Sequence, residues 1–180
     1  MGHLDTTILL QKAAGIRLLC LDCDGVLTSG DITYTTSGEQ VVTFSVRDGL
    51  GLRLLMEAGV EVAILTSRSS AALERRVREL GIGRLEQGVG EKGGAFRRLV
   101  EEMGLSPQEA AYMGDDWVDL PALRLAGLAA VPADAAYPLA DHAHMITRAP
   151  GGRGAVRELC DLILRAKGLW GPMLNRFLGE

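Results

Sequence analysis

The sequence has few cysteines, few aromatic residues and no long apolar run, and each shortage excludes a class of protein. Its three cysteines are an odd number in a chain of 180 residues, so no disulfide framework is expected. No window of about 18 uninterrupted apolar residues is present, so we predict no transmembrane helix. No basic region precedes an apolar stretch near the start, so we expect no signal peptide and a cytoplasmic protein.

Basic charge is also scarce. The 19 Lys and Arg residues are outnumbered by 23 Asp and Glu, which gives a net charge of −4. This balance argues against a nucleic-acid-binding surface and against a membrane-binding basic patch, so a small-molecule ligand is the expected partner. With 47% hydrophobic residues, the composition suits a single α/β domain over residues 1–180, in which helices cover both faces of a parallel sheet.

The most informative segment is residues 16–30, IRLLCLDCDGVLTSG. An apolar strand here ends in Asp22 and Asp24, whose side chains point the same way because a strand alternates its two faces. The carboxyl edge of a parallel sheet is where α/β proteins bind ligands. Two like charges about 4 Å apart repel by roughly 4 kcal/mol at an effective dielectric near 20, so a cation between them is expected. The alternative is a simple turn with solvated acids.

Strands and helices alternate along the chain, which predicts a parallel sheet with right-handed crossovers. Residues 31–36 and 41–46 are rich in β-branched and aromatic residues and flank a short turn, so they predict a β-hairpin. Because this hairpin (residues 31–46) follows the opening motif directly, we expect it to lie over the carboxyl ends of the strands as a flap. The other predicted strands are 16–22, 60–66, 84–87, 110–114, 128–131 and 144–147, and the predicted helices are 6–14, 48–58, 70–80, 91–103, 117–126 and 153–167, the last being the final helix.

Further polar residues follow the other strands. Thr66 ends one strand, and its hydroxyl can donate to a phosphate oxygen, although a helix-capping role is equally compatible with the pattern. Lys92 begins a helix, where the helix dipole already favours an anion. Asp115 ends a third strand at the same edge as Asp22 and Asp24. Three carboxylates beside a phosphate require a metal, and oxygen ligands of this kind suit Mg²⁺ better than zinc.

Three other patterns are weaker. Residues 88–93, GVGEKG, match the dinucleotide fingerprint G-x-G-x-x-G, but no acidic residue ends a strand about 20 positions later. Cys20 and Cys23 have C-x-x-C spacing within an apolar strand, and we interpret them as buried small residues. His142 and His144 lack further metal-binding partners apart from Asp141.

Taken in order, Asp22-x-Asp24-Gly25, Thr66, Lys92 and Gly114-Asp115-Asp116-x-x-Asp119 resemble the four motifs of the haloacid dehalogenase superfamily. Over residues 16–167 the likeness is closer to one family within it, the 3-deoxy-D-manno-octulosonate 8-phosphate (KDO 8-phosphate) phosphatases. The segments that carry this resemblance are residues 22–30 with the hairpin after them, VRDG at 46–49, Thr147-Arg148, and GGRGAVRE at 151–158.

The resemblance implies a Rossmannoid, haloacid dehalogenase-like parallel sheet with a hairpin flap and no large cap domain. It also implies a homotetramer in which the hairpin packs on neighbouring subunits and a partner chain helps to close each active site. The implied activity is Mg²⁺-dependent hydrolysis of a sugar phosphate, KDO 8-phosphate, in lipopolysaccharide precursor synthesis. One position departs from the pattern: Ser67 stands where the family commonly has glycine, which would cost backbone freedom.

The resemblance also implies roles for individual residues. Asp22 is the nucleophile and forms an aspartyl-phosphate, while Asp24 is the general acid and base. Asp22, the backbone carbonyl of Asp24 and Asp115 hold Mg²⁺. Thr66 and Lys92 stabilise the phosphoryl oxygens. The remaining implied residues are Asp119, which orients Lys92, Asp116, which supports metal-bound waters, and Arg47, Arg68 and Gly25, which contact the substrate.

Three alternatives remain open from sequence. The nearest is a nonulosonate 9-phosphate phosphatase, because that group shares the fold and motifs. A receiver-like signalling domain also uses a phosphorylated Asp, a Thr and a Lys, but it lacks an acid two residues after the acceptor, the position that Asp24 occupies here. A dinucleotide-binding oxidoreductase rests only on the weak glycine pattern.

Overall fold

The computed structural model describes residues 6–179, and within them strands and helices alternate. The helices are α1 (Thr6–Ala14), α2 (Val46–Glu57), α3 (Ala71–Leu80), α4 (Lys92–Glu102), α5 (Leu120–Leu125), α6 (Ala155–Ala166) and α7 (Trp170–Leu178). The strands are β1 (Leu18–Leu21), β2 (Thr33–Tyr34), β3 (Gln40–Val41), β4 (Glu61–Leu65), β5 (Arg84–Glu86), β6 (Ala110–Met113), β7 (Leu128–Val131) and β8 (Met145–Ile146). Short 3₁₀ turns span Pro107–Glu109, Trp117–Asp119 and Leu139–His142.

Six of these strands form one parallel sheet in the order β5-β4-β1-β6-β7-β8. The first strand of the chain therefore lies in the middle, between β4 and β6. In register, Leu21 at the end of β1 pairs with Ile64 of β4 and with Met113 of β6. The residues that follow these three strands consequently meet at one edge of the sheet, as the doubly wound α/β topology requires.

The strand side chains alternate between two apolar layers. Leu19 and Leu21 of β1 belong to a buried cluster with residues of α2, α3 and α6. Leu18 and Cys20 belong to a second cluster with residues of α4 and α5. Burial on both faces explains why β1 reads as a continuous apolar run rather than as an alternating one. The α/β sheet flanked by helices is thus confirmed.

Two details of the predicted elements are wrong. The hairpin strands are much shorter than residues 31–36 and 41–46. Residues 45 and 46 cannot belong to the second strand, because Ser45 caps α2 by accepting a hydrogen bond from the Asp48 backbone N–H and Val46 is helical. In addition, residues 153–167 are not the final helix, since α7 follows α6. Pro172 weakens the helical pattern there, but proline is accommodated in the first turn of a helix.

No helix within residues 6–179 has the length and apolar character needed to cross a membrane.

Candidate active site

The ends of β1, β4 and β6 deliver the polar residues of the site. Asp22 directly follows β1, and its backbone N–H donates to the Met113 carbonyl of β6 at 2.9 Å. Thr66 follows β4 and is buried, with its backbone N–H donating to the Glu86 carbonyl. Asp115 comes two residues after β6. These backbone bonds extend the sheet by one residue and fix where the side chains begin.

Lys92 is the buried cation of the site. Its Nζ lies 2.7 Å from Asp22 Oδ1 and 2.7 Å from Asp119 Oδ1, and its side chain is only 2% exposed. Lys92 is the first residue of α4, whose N-terminal amides are capped by the Glu91 side chain. Lys92 therefore contacts Asp119, the residue expected to orient it, and also contacts Asp22 directly.

Asp119 uses both of its oxygens. Oδ1 accepts the Lys92 ammonium and also the Tyr112 hydroxyl, each at 2.7 Å. Oδ2 accepts the backbone N–H groups of Asp115 at 3.1 Å and Asp116 at 3.2 Å. Gly114 allows this close approach, because a Cβ at that position would lie 2.3 Å from the Asp119 carboxyl carbon. Asp119 thus holds the Lys92 ammonium with one oxygen and the backbone of Asp115 and Asp116 with the other.

Two carboxylates of the site, Asp22 and Asp115, resist ionisation. Burial and the charge of Asp119 raise the pKa of Asp22 to about 6, although Lys92 opposes the shift. Burial, together with the charges of Asp22 and Asp119, raises the pKa of Asp115 to about 8. Burial lowers the pKa of Lys92, but the two neighbouring carboxylates outweigh it and leave the pKa raised. The site therefore carries more negative charge than its one lysine can balance.

This donor set fits a divalent cation. Oxygens of Asp22, Asp115 and Asp119 all lie within 4.8 Å of one another. Because the oxygens of Asp119 already accept four hydrogen bonds, Asp22 and Asp115 are the carboxylates left to bind a metal. Hard oxygen ligands around excess negative charge match Mg²⁺, which usually binds through one or two carboxylates and keeps several waters. The side chain of Asp24 lies outside this cluster, in keeping with a role for its backbone carbonyl.

Asp24 instead faces the hairpin. Its Oδ2 lies 3.6 Å from Arg68 Nε, and Arg68 also donates to the Gln40 side chain of β3 at 3.4 Å. Arg68, which comes shortly after β4, thus links the hairpin to the second aspartate of the opening motif. Asp24, Gln40 and Arg153 share a polar cavity of about 220 Å³, which the hairpin and residues 28–33 enclose. Asp24 is thus the acid of the opening motif that lines this cavity, which has room for part of a small ligand.

Three other expected site residues have different surroundings. Gly25, with φ +82°, lies against Asp115: a Cβ there would meet Asp115 Oδ2 at 2.0 Å. Asp116 caps the turn that follows, because its Oδ1 accepts the Trp117 backbone N–H. Arg47 is exposed in the first turn of α2, and within residues 6–179 no hydrogen bond or ion pair engages its side chain. The resemblance implies substrate contacts for Gly25 and Arg47 and metal-water support for Asp116, and these roles stay predictions.

Ser67 does not strain the chain. Within residues 6–179, every positive φ belongs to a glycine, so Ser67 has a backbone conformation open to any residue. The expected cost of replacing the family's glycine is therefore wrong for this structure. The serine follows Thr66, whose Oγ1 accepts the Arg68 backbone N–H at 3.3 Å and closes the turn locally.

Two residues in contact with the site were missed by sequence reasoning. Tyr112 is fully buried in β6 and donates to Asp119, but in the sequence it reads only as an aromatic residue of an apolar strand. Gly151 lies against the Gly25 carbonyl, which a Cβ at Gly151 would approach within 1.8 Å. The glycines at 151, 152 and 154 were a usable signal for such a close approach, since glycine allows two backbones to touch.

Comparison with known proteins identifies relatives among the haloacid dehalogenase-like hydrolases. Residues 43–127 match the haloacid dehalogenase-like hydrolase family, a range that includes Thr66, Lys92, Asp115 and Asp119. The chain is 46% identical over 158 residues to the KDO 8-phosphate phosphatase KdsC of Yersinia pestis, covering 88% of this chain and 84% of that protein. It is also 46% identical over 159 residues to KdsC of Escherichia coli K12, covering 88% and 85%.

Solved structures agree. The crystal structure of the Moraxella catarrhalis KDO 8-phosphate phosphatase, in complex with magnesium ion, phosphate ion and KDO, has a TM-score of 0.92 and 40% identity, and the match covers 94% of this chain and 97% of that one. The Yersinia pestis enzyme has a TM-score of 0.89 and 44% identity, covering 91% and 89%. The fold and site define a haloacid dehalogenase-like hydrolase. Within that class, the chain belongs to the KDO 8-phosphate phosphatase family.

Proposed function

We propose that this protein is a Mg²⁺-dependent phosphatase that hydrolyses KDO 8-phosphate to KDO and inorganic phosphate, in lipopolysaccharide precursor synthesis in the cytoplasm. The observation that carries the proposal is the buried Lys92, held at 2.7 Å from both Asp22 and Asp119 beside the free carboxylate of Asp115. This arrangement occurs in a chain that is 46% identical to named phosphatases of that specificity.

In the first half of the reaction, an Asp22 oxygen attacks phosphorus and the bond between phosphorus and the sugar oxygen breaks. Asp24 gives a proton to that leaving oxygen, so the sugar departs as an alcohol. Asp22 is then an aspartyl-phosphate. Lys92 favours the ionised, attacking form of Asp22 through its contact at 2.7 Å. Thr66 and Lys92 offer donors to the phosphoryl oxygens, on which charge is spread in the transition state.

In the second half, Asp24 takes a proton from a water molecule whose oxygen attacks the same phosphorus. The bond between phosphorus and the Asp22 oxygen breaks, inorganic phosphate leaves, and both aspartates return to their starting states. Asp24 suits both steps because its half-exposed side chain reaches solvent, unlike that of Asp22. Mg²⁺ bound by Asp22, Asp115 and the Asp24 carbonyl would neutralise charge on the transferring phosphoryl group.

For the sugar we propose the cavity beside Asp24, with Arg68, which contacts Asp24 and Gln40 of the cavity lining, as the partner for a carboxylate or hydroxyl. Arginine presents a planar pair of donors that matches a carboxylate. Gly25 also leaves space for Asp115, and its contact with the sugar stays a prediction. Arg47 lies outside this cavity in the single chain, so its proposed substrate contact requires the assembled protein.

We further propose that residues 1–180 form one domain and that the chain assembles as a homotetramer through the hairpin. Ile32, Tyr34 and Val41 of the hairpin are exposed apolar residues, and a neighbouring subunit packed on them would cover apolar surface and complete the adjacent active site. Light scattering of the purified protein tests the assembly, and a monomer at micromolar concentration would contradict it.

The function is tested by a phosphate-release panel with Mg²⁺ present. KDO 8-phosphate should be hydrolysed with the highest kcat/KM, ahead of nonulosonate 9-phosphates and common hexose phosphates. A preference for a nonulosonate 9-phosphate would instead favour that neighbouring group of phosphatases. A phosphorylated protein that persists for minutes would point to the receiver-like alternative, which the phosphatase relatives of this chain already disfavour.

A further inference from the structure

Asp48 lies in the first turn of α2, outside the carboxylate cluster, and is 1% exposed. Its two oxygens accept backbone N–H groups from the start of α6: Oδ2 accepts from Gly154 at 3.1 Å and Oδ1 from Arg157 at 2.8 Å. The first amides of a helix have no partner within the helix, and here a carboxylate from another helix supplies one. Asp48 therefore fixes the beginning of α6, across 106 residues of sequence.

The segment that Asp48 holds in turn packs on the loop after the nucleophile. The Gly152 backbone N–H donates to the Val26 carbonyl at 2.8 Å. A Cβ on Gly151 would lie 1.8 Å from the Gly25 carbonyl oxygen, and one on Gly152 would lie 2.5 Å from the Thr28 carbonyl carbon. Backbone touches backbone here, so a shift of the segment must move the loop. Residues 151–154 thus support the back of the turn formed by residues 22–28.

The other side of that turn faces the metal-binding carboxylates. Gly25 lies against Asp115, and the carbonyl proposed as a metal ligand belongs to Asp24, one residue earlier. An unbroken series of contacts therefore leads from the Asp48 carboxylate, through Gly154 and Gly152, to Gly25 and Asp115. Each step is a hydrogen bond, a close backbone approach or a link of one or two residues along the chain.

We propose that Asp48 is a positioning residue, which sets the place of the Asp24 carbonyl and of Asp115 through the segment 151–154 and thereby tunes Mg²⁺ binding. The proposal rests on the proposed function, since it assigns Mg²⁺ to those ligands. Groups outside the ligand shell that orient ligands typically change metal affinity or activity by about 10–100-fold when they are altered.

The test compares Asp48→Asn with Asp161→Asn. The carboxamide introduced by Asp48→Asn would keep one acceptor but turn an NH₂ group toward one of the two N–H donors. Asp161 is a matched control, because it is an aspartate of α6 that pairs with the Arg157 side chain rather than with the backbone of the segment. Titration calorimetry with MgCl₂ should give a Kd weakened about tenfold for Asp48→Asn and unchanged for Asp161→Asn. At saturating Mg²⁺, kcat should fall about tenfold while KM stays within about twofold.

Hydrogen exchange separates positioning from general destabilisation. In Asp48→Asn, amides of residues 22–28 and 151–157 should exchange faster, while those of α4 and β7 keep their wild-type rates. A uniform increase over the whole chain, or a Mg²⁺ affinity equal to that of wild type, would overturn the proposal. If Asp48→Asn does not fold, Gly151→Ala applies the same displacement from the other end and should weaken Mg²⁺ binding about as much; wild-type affinity in that variant would equally overturn it.

The calorimetry and the hydrogen-exchange measurements need no substrate. If the wild-type protein does not hydrolyse KDO 8-phosphate, the proposed function is contradicted. If Asp48→Asn has the Mg²⁺ affinity and exchange rates of the wild type, only the positioning role is contradicted.

Discussion

Proton release should accompany Mg²⁺ binding, because the proposed ligands hold protons that the metal must displace. The pKa of Asp115 is raised to about 8 and that of Asp22 to about 6, in each case chiefly by burial. Unfolded aspartates titrate near 3.9, so the folded metal-free protein keeps protons that the unfolded chain has already lost. Its stability therefore falls as the pH rises from about 4 to 8.

The number of protons that Mg²⁺ binding releases follows from the two pKa values. At pH 7, Asp115 is about 90% protonated and Asp22 about 10%, so binding releases about one proton per Mg²⁺. The Mg²⁺ Kd should then fall about tenfold per pH unit between pH 6.5 and 7.5 and level off above pH 8. Below pH 6 the dependence should steepen, because both carboxylates then bind protons in the metal-free protein.

Titration calorimetry at pH 6, 7, 8 and 9, each in two buffers with different ionisation enthalpies, measures the Mg²⁺ Kd and the number of protons released. The number of released protons should decline from about one at pH 7 to about 0.1 at pH 9. Thermal unfolding gives an independent reading, since saturating Mg²⁺ should raise Tm more at pH 8 than at pH 6. A Kd that is constant between pH 6 and 8, with no proton release, would refute the assignment of Asp115 as a buried ligand.

Three further predictions concern single residues. Asp22→Asn should abolish phosphatase activity yet keep or raise Tm at pH 8, since a pKa raised to about 6 makes the native carboxylate cost about 3 kcal/mol there; activity in the folded variant would remove Asp22 as nucleophile. Lys92→Met should lower the free energy of unfolding in urea by about 3–5 kcal/mol without Mg²⁺, because it leaves the buried carboxylates of Asp22 and Asp119 without their cation; a change below about 1 kcal/mol would contradict this expectation. Gly25→Ala should weaken Mg²⁺ binding about tenfold by displacing Asp115. A Kd for Mg²⁺ equal to that of the wild type, measured by titration calorimetry, would contradict this.

Much of the site could be predicted because parallel topology brings strand ends together. Asp22, Thr66 and Asp115 are far apart in sequence, yet each follows a strand, and β1 lies between β4 and β6. A rule about where strands end was therefore sufficient to place all three at one edge. Lys92 was predictable for a related reason, since it begins the helix that follows β5. None of these inferences required knowledge of how side chains pack.

Features that depend on packing between helices could not be predicted in this way. The hydrogen bonds from Gly154 and Arg157 to Asp48 exist because α2 and α6 lie close together, and they do so at Gly51, where a Cβ would lie 2.9 Å from the Arg157 side chain. No periodic pattern shows which helix another helix will touch.

The same limit explains why the cost of Ser67 was misjudged. The resemblance implies a cost in backbone freedom for serine where the family commonly has glycine, but that cost depends on φ, which the local pattern does not specify. By contrast, Gly25 has φ +82° and also faces the Asp115 carboxylate, so two separate constraints meet at one residue. A side chain at Gly25 would have to displace a metal ligand, whereas a side chain at Ser67 displaces nothing that defines the site. The consequence of substituting a glycine in this fold therefore depends on whether the space beside it belongs to solvent or to the carboxylate cluster.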